Sequence, residues 1–323
     1  MQAFLVVLAV IAGLVGISYL LEELRSAPAV PARLRWSPTL TSQYVDADGV
    51  RVRYVEAGTG PALVLLHTLR TQLDMFQQVL PRLAAHFHIY ALDLPGHGYS
   101  DIPNAEYTAD FFVATIAKAL DRLEIDDAVV AGESIGGTVA LLLAARHHPR
   151  VRAVIAINPY DYAGGRGIRR SSLLANMIFG LNNVPIVGAT VNRLRTYPVF
   201  KRILEGGVHS RQALPAPLAR EMYEVGNRRG YGRAFSSLVR NWASWEAARR
   251  EYRHIDHPAL LIYGDHDWSH RGERAATAGA IPGAEFHVIR NAGHFLSLDA
   301  PGELAGIMLE WAAPRSRETL AKR

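Results

Sequence analysis

Short apolar runs separated by amphipathic stretches recur along most of this chain. Continuous apolar runs are typical of strands buried on both faces of a parallel sheet, and apolar strands are predicted at 62–66, 88–92, 128–131 and 259–263. Residues 151–157 and 285–289 are also predicted to be strands. Apolar residues at helical spacing fall between them, and they predict helices over 72–86, 107–123, 136–146, 271–280 and 301–311. Polar and apolar residues alternate on both sides of Asp46–Gly49, which predicts a hairpin before the first buried strand.

The strand–helix alternation is interrupted once, between residues 160 and 253, by a long stretch of helical character. Strand–helix repeats with one helical interruption indicate an α/β fold, with a doubly wound, mostly parallel sheet and an inserted helical cap. We therefore predict a core made of residues 43–159 and 254–314, with residues 160–253 as the cap. No internal repeat or low-complexity tract is apparent.

The amino-terminal segment has a different character from the rest of the chain. Phe4 to Leu21 carries no charged residue, and eighteen helical residues span roughly 27 Å, close to the ~30 Å hydrocarbon thickness of a bilayer. A cleaved signal peptide is the alternative, but no Lys or Arg precedes the run and the run is long. We predict a single-pass membrane anchor at 1–25 and a proline-containing linker at 26–42. Arg25, Arg33 and Arg35 follow the span, so positive-inside reasoning favours a cytoplasmic globular part.

Composition narrows the possible chemistry. The chain has no cysteine, which excludes disulfides, thiolate metal sites and a cysteine nucleophile. The net charge of +5 is unevenly distributed, because the predicted cap holds sixteen Lys and Arg, Arg166 among them, against six acids. Such a basic segment is consistent with a solvated arginine-rich surface or with an anionic lipid or substrate. It contains no recognisable nucleic-acid-binding module, so no nucleic-acid partner is predicted.

The residues with the clearest chemical signature are Gly132-Glu133-Ser134-Ile135-Gly136, between a predicted buried strand and a helix. A serine on so sharp a turn is lifted clear of the sheet, and small residues two positions away let strand and helix approach closely. We predict Ser134 as a nucleophile. The N–H of Ile135, at the start of the helix, would then donate to a developing oxyanion.

A serine hydroxyl needs a base, and the base needs an orienting acid. His294 lies in the loop directly after the strand 285–289, at the carboxyl edge of the sheet where open α/β sheets place their ligands. Asp267 lies in the loop after the strand 259–263, at the same edge. We predict His294 as the general base and Asp267 as its acid, with Asp265 as the alternative acid.

From about Tyr44 to Trp311 the chain resembles the α/β-hydrolase superfamily. The family's nucleophile, acid and histidine positions fall on Ser134, Asp267 and His294. The loop 93–100 resembles the loop that follows the family's fourth strand, and we interpret it as structural, with Ser100 as a rival nucleophile that lacks an elbow. After the third strand the family usually has His-Gly. Here the run is His67-Thr68-Leu69-Arg70, so the resemblance assigns the second oxyanion N–H to Leu69 and leaves open what Thr68 changes.

A serine at the nucleophile position disfavours family members that use aspartate there, such as haloalkane dehalogenases and epoxide hydrolases. The remaining reactions are hydrolysis of an ester or related acyl compound through an acyl-enzyme, acyl transfer, and carbon–carbon bond hydrolysis. The apolar stretch 173–191, which Asn182, Asn183 and Pro185 interrupt, is either core packing of the cap or a wall that binds an acyl chain or lipid. The membrane segment and the basic cap favour a small, lipid-like acyl substrate. No cofactor or metal is predicted, since His266 and His270 lack a third ligand.

A membrane-tethered binding protein without activity is the alternative from another functional class. The role of Arg70 is also open, because it is either a substrate contact or a surface charge.

Overall fold

The structure, a computed structural model, describes residues 1–162, 164, 167–182, 184 and 186–312. Within that part of the chain an eight-stranded sheet forms from β3 to β10, in the order β10-β9-β8-β7-β5-β6-β4-β3. The strands are β3 (Gln43–Asp46), β4 (Arg51–Ala57), β5 (Ala62–Leu66), β6 (His88–Leu92), β7 (Ala128–Glu133), β8 (Val151–Ile157), β9 (Ala259–Gly264) and β10 (Glu285–Ile289). Strands β5 to β10 pair in parallel, whereas β3 pairs with β4 and β4 with β6 in the antiparallel sense.

Helices α2, α3, α4, α11, α12 and α13 connect or follow these strands. Their bounds are α2 (Leu80–Leu83), α3 (Ala109–Arg122), α4 (Ile135–Ala145), α11 (Arg271–Ala280), α12 (Leu296–Asp299) and α13 (Pro301–Ala312). Every residue of α4 is buried, because this helix follows the central strand β7 and packs on both β7 and β8. The resulting mostly parallel α/β fold confirms the predicted fold class.

The buried strands were the most predictable elements. Each residue of β7 and β9 is buried, as a central parallel strand with both faces covered requires. The predicted bounds of β5, β6, β8 and β10 match the observed ones. The predicted helix around 107–123 is α3, and the Thr108 hydroxyl accepts a hydrogen bond from the Phe111 N–H at 3.2 Å as its amino-terminal cap.

The continuous helix predicted over 72–86 is wrong. A short 3₁₀ turn at Leu73–Phe76 and the four-residue α2 take its place. Pro81 at the start of α2 has no N–H to continue a preceding helix. Asp74, within the 3₁₀ turn, forms contacts distant in sequence: its carboxylate pairs with buried Arg53 at 3.1 Å and accepts from Trp36 at 2.8 Å.

Most of the described residues in the segment predicted as a cap are helical. It contains α5 (Leu173–Leu181), α6 (Val187–Arg193), α7 (Tyr197–Glu205), α8 (Ala216–Val225), α9 (Tyr231–Arg240) and α10 (Trp242–Ala248). Of the residues singled out from the sequence, Arg166, Asn183, Pro185 and the last two positions of the predicted core, 313–314, lie outside the described residues. The proposed division into core and cap stays a prediction.

The amino-terminal apolar segment forms one helix, α1 (Gln2–Glu23), which is long and apolar enough to cross a membrane by length and composition. Its carboxyl end is fixed to the predicted cap. The Glu22 carboxylate lies 3.0 Å from Arg195 and accepts from the Gly230 N–H at 3.0 Å, and the Arg193 guanidinium lies 3.7 Å from the centre of the Tyr19 ring. The predicted linker that follows holds a small antiparallel sheet, β1 (Arg33–Leu34) with β2 (Ser37–Thr41).

Candidate active site

The turn between β7 and α4 has the geometry that its sequence predicts. Ser134 has φ 57° and ψ −116°, a region that a residue with a side chain adopts at a cost of about 1–3 kcal/mol. The neighbouring glycines make the turn possible. A Cβ on Gly132 would lie 2.2 Å from the carbonyl carbon of Gly136, and one on Gly136 would lie 2.3 Å from the Leu66 carbonyl oxygen. Strand β5, the serine turn and α4 therefore pack closer than any other residue allows.

His294 and Asp267, distant in sequence, meet at the carboxyl edge of the sheet. The imidazole Nδ1 lies 2.5 Å from an Asp267 carboxylate oxygen, and both side chains are fully buried. The Trp268 indole stacks on the imidazole with ring centres 3.8 Å apart and planes inclined by 13°. The alternative acid, Asp265, instead accepts from the Ala292 N–H at 3.2 Å and is partly exposed. Of the two acids it is therefore Asp267 that contacts the histidine.

The environment of Asp267 favours its ionised form. Burial alone would raise its pKa, but the His294 charge and hydrogen bonds from His294 and Ser269 lower the pKa below its ordinary value. The Ser269 hydroxyl and N–H both donate to the second carboxylate oxygen, and the Arg274 guanidinium donates to Ser269 at 2.9 Å. Because ionised Asp267 accepts a hydrogen bond from His294 Nδ1, the proton of a neutral imidazole stays on Nδ1. The other nitrogen, Nε2, is then free to act as a base.

Two buried polar side chains tie the loops of the three residues together. The Asn158 amide, just after β8, donates to the carbonyls of Gly293 and His294 at 3.1 and 2.9 Å and accepts from the Gly264 N–H at 3.0 Å. Glu133, next to Ser134, accepts from the Ser297 hydroxyl at 2.7 Å. Sequence reasoning missed both. Glu133 stands inside the serine motif, but neither its burial nor its partner is visible in the sequence.

The Ser134 Oγ and the His294 Nε2 are both buried, and neither has a hydrogen-bond partner among the described residues. Buried polar atoms are nearly always paired, so unpaired ones in a native fold need an explanation, a catalytic role among them. The Ser134 hydroxyl lies directly after β7, and Asp267 binds the other ring nitrogen of His294, Nδ1. The nucleophile–base hydrogen bond is not formed here, and such bonds are often long without substrate.

The two predicted oxyanion N–H groups also have no acceptor among the described residues. Ile135 is the first residue of α4, where N–H groups lack an intrahelical partner. Thr68, which stands before Leu69 where the family usually has glycine, is not among the residues with positive φ. The backbone conformation at Thr68 therefore does not require glycine. The His67 ring holds the loop, since Nε2 accepts from the Leu94 N–H at 2.9 Å and Nδ1 donates to the Thr68 carbonyl at 2.7 Å. Burial lowers the pKa of His67 to about 4, which keeps it neutral.

Arg70 is not a surface charge. Its side chain is only 6 % exposed, and its guanidinium carbon lies 4.4 Å from the centre of the Phe235 ring and 5.2 Å from that of Phe200. The backbone has φ 61°, which directs this side chain from the loop after β5 toward α7 and α9. Its Nε has no hydrogen-bond partner among the described residues.

Other candidate residues have structural partners. The Ser100 hydroxyl donates to the Asp93 carbonyl at 2.7 Å and accepts from the Arg53 N–H at 2.8 Å, so it is occupied in the fold. The His266 ring contacts His209, with ring centres 4.3 Å apart. One group among the described residues has metal-ligand spacing, His147 with Asp256 and His257. It lies mostly exposed and takes no part in the serine site.

Comparison with known proteins identifies the family of this chain. A sequence profile of the alpha/beta hydrolase fold matches residues 61–301. The chain belongs to the α/β-hydrolase family. Over 291 residues, 86 % of its length and 95 % of the relative, this α/β-hydrolase is 27 % identical to a 2-hydroxymuconate semialdehyde hydrolase of Pseudomonas sp. (strain CF600).

Solved structures with the same fold include Cfl2 from Burkholderia cenocepacia, with a TM-score of 0.76 and 22 % identity over 88 % of this chain and 99 % of that one. A membrane phospholipase A, described as a bacterial virulence factor, superposes over 100 % of both chains with a TM-score of 0.72 and 23 % identity. At such identities these structures establish the fold, and the activity of this α/β-hydrolase has to be argued from its own residues.

Proposed function

We propose that this protein is a membrane-anchored serine hydrolase that cleaves a carboxylic ester or related acyl compound. One observation carries the proposal: two buried, unpartnered reactive atoms, the Ser134 Oγ and the His294 Nε2, beside the hydrogen bond between His294 and Asp267. A nucleophile, a base with a free nitrogen and an ionised orienting acid are the parts of nucleophilic acyl transfer.

The reaction would proceed in two halves. His294 Nε2 takes the proton of Ser134 as Oγ bonds to the acyl carbon, and the resulting oxyanion accepts from the N–H groups of Leu69 and Ile135. Collapse breaks the bond to the alcohol, which leaves with the proton from Nε2, and the acyl group stays on Ser134. Water then attacks the acyl carbon, gives its proton to Nε2, and the second collapse returns that proton to Oγ and releases a carboxylic acid. No cofactor is needed in either half.

The membrane assignment rests on α1 and on the surface of the predicted cap beside it. Helix α6 packs against α1, and large apolar side chains of this region are exposed, with Leu173 77 % and Ile186 66 % exposed. Met177, Leu181, Val184 and Val187 are exposed in the same segment. An apolar surface continuous with a membrane helix favours contact with lipid. The similarity over its full length to a membrane phospholipase A supports a lipid-like ester as substrate.

Carbon–carbon bond hydrolysis is the second candidate, because a relative that aligns over 86 % of the chain is named a 2-hydroxymuconate semialdehyde hydrolase. The same serine, histidine and acid would serve such a reaction. A panel of p-nitrophenyl esters of rising acyl length, set beside a ring-fission dienoate, separates the two. Ester turnover that rises with chain length supports the proposal, and turnover of the dienoate alone replaces it with the second candidate.

The same panel of esters and the dienoate also tests the alternative that this protein binds a ligand without catalysing a reaction. Full-length protein in nonionic detergent micelles is the sample, and Ser134→Ala is the control. If folded wild-type protein releases no more p-nitrophenol than Ser134→Ala and leaves the dienoate intact, the hydrolase proposal fails and the binding function is favoured. The apolar cap surface would then remain as the site of lipid contact.

A further inference from the structure

Arg70 differs from the other buried arginines in having no anion or carbonyl to neutralise it. Arg53 is fully buried between Asp74 and Asp93, each at 3.1 Å, and Arg195 pairs with Glu22 at 3.0 Å. Arg228 donates to backbone carbonyls. Among the described residues, Arg70 interacts only with the Tyr231 hydroxyl and the faces of two phenylalanine rings. Arginine stays protonated in proteins, so this is a buried positive charge without a counterion.

Arg70 belongs to the same loop as the predicted oxyanion N–H of Leu69. Arg70 directly follows Leu69, and the Thr68 Oγ1 on the other side of Leu69 is also buried without a partner. Phe200, which the guanidinium contacts, lies on α7. The chain after α7 reaches the histidine loop, where the Gly207 carbonyl accepts from the Phe295 N–H at 2.8 Å. The Arg70 guanidinium therefore lies between the loop after β5 and the helices α7 and α9 of the predicted cap.

We propose that Arg70 binds an anionic group of the substrate, a carboxylate or a phosphate oxygen, while the scissile carbonyl is held at Leu69 and Ile135. This rests on the proposed ester hydrolysis and names the substrate class. A guanidinium matches the two oxygens of a carboxylate or phosphate. Apolar rings around it exclude water and strengthen the pairing.

The backbone of Arg70 supports a role in binding. A φ of 61° is strained for arginine, and strained residues are found preferentially at ligand sites. If Arg70 served packing alone, its removal would lower the melting temperature. If Arg70 instead binds a ligand and is unpaired in the free protein, its removal should not lower the melting temperature, because Arg70→Met removes a buried charge and retains apolar volume. We expect Arg70→Met to leave the melting temperature of the ligand-free protein unchanged or higher.

Turnover of matched esters measures the charge preference. Monooctanoylglycerol and its glycerol phosphate counterpart differ by a phosphate on the alcohol, and p-nitrophenyl octanoate and mono-p-nitrophenyl suberate differ by a carboxylate on the acyl chain. We expect wild type to prefer one anionic ester over its neutral partner by roughly tenfold in kcat/KM, and Arg70→Met to remove most of that preference. Arg220→Met is the matched control, because Arg220 is an exposed arginine that also lies over an aromatic ring, with its guanidinium carbon 3.6 Å from the centre of the Tyr197 ring.

Binding to the Ser134→Ala protein tests the inference without turnover. Octyl phosphate and octanoate are titrated calorimetrically, with octanol as the neutral ligand. Affinity for one anion that falls about tenfold on Arg70→Met, partly returns in Arg70→Lys and is unaffected by Arg220→Met supports the inference. If that pattern appears while wild type cleaves no ester, only the proposed reaction fails. Equal anion affinity with and without Arg70, or no binding of either anion, overturns the anion site itself.

Discussion

The Glu133 carboxyl group accepts a hydrogen bond of 2.7 Å from the Ser297 hydroxyl across 164 residues of chain. Glu133 immediately precedes Ser134, and Ser297 lies three residues after His294, so one buried bond joins the two loops on which the proposed chemistry depends. Burial raises the pKa of Glu133 to about 8, against hydrogen bonds from Ser297 that lower it. The residue is therefore protonated in the fold at neutral pH.

This raised pKa gives the stability of the protein a definite pH dependence. The unfolded chain loses the Glu133 proton near the ordinary value of 4.5, and the folded protein keeps it to about 8. Between these values the folded state binds more protons, so the free energy of unfolding falls as the pH rises and levels off above about 8. Glu133→Gln removes this titration. We expect the loss of urea stability between pH 5 and 8 to be smaller in Glu133→Gln than in wild type.

Exposed Glu303 provides the control, and Glu303→Gln should reproduce the wild-type pH dependence. Identical slopes in wild type and Glu133→Gln would show that Glu133 is ionised in the folded protein.

The bond between Glu133 and Ser297 should also be measurable as a coupling. Ser297→Ala leaves a buried carboxyl group without its hydroxyl donor, which costs about 1–3 kcal/mol. In the cycle with Glu133→Met, which removes the acceptor oxygens, we expect a coupling free energy of about 1 kcal/mol, obtained from urea unfolding of the four proteins. Additive effects of the two changes would contradict a direct bond.

Asp267 and Asp265 stand two residues apart, but only Asp267 contacts His294, at 2.5 Å. We expect Asp267→Asn to lower kcat by about 10⁴, because an amide does not stabilise the imidazolium and favours the wrong tautomer. Asp265→Asn should change kcat by less than about threefold, since its partner is the Ala292 N–H. Steady-state kinetics on a p-nitrophenyl ester measure both, and comparable losses in the two variants would refute the assignment of the acid.

The Trp268 indole holds the imidazole from its face, with ring centres 3.8 Å apart, and donates to the Gly206 carbonyl at 2.9 Å. Trp268→Leu frees the ring to rotate, so we expect kcat to fall roughly tenfold with little change in KM. Trp268→Phe keeps a stacking ring and should lie closer to wild type. A fall in kcat that is the same for both variants would assign the effect to the lost indole hydrogen bond.

The exposed apolar surface on α5 gives a prediction about lipid. Leu173→Asp with Met177→Asp places two charges where we propose contact with the bilayer, which a charge disfavours. We expect hydrolysis of an ester embedded in vesicles to fall at least about fivefold relative to that of a water-soluble ester. Val288→Asp, an exposed apolar position on β10, should leave the ratio unchanged. Equal ratios in all proteins would remove the lipid-contact proposal.

The sequence was most informative where the physical requirement is local. A strand buried on both faces must be an apolar run, and a serine elbow must have small neighbours, so β5, β8 and the Ser134 turn were predictable. The helix predicted over 72–86 failed because Pro81 interrupts it, and the pairing of Asp74 with Arg53 is distant in sequence. The burial of Arg70 and the Glu133–Ser297 bond depend on which loops the fold brings together, and no local pattern carries that information.

The central claim is that Ser134 is an activated nucleophile. Its most direct test is reaction of the full-length protein with a fluorophosphonate, followed by intact mass measurement and peptide mapping. We predict one phosphonyl group per chain, on Ser134, with no adduct on Ser134→Ala and labelling slowed strongly in a His294→Ala variant. Folded wild-type protein that acquires no adduct, or acquires it on another residue such as Ser100, would contradict the account.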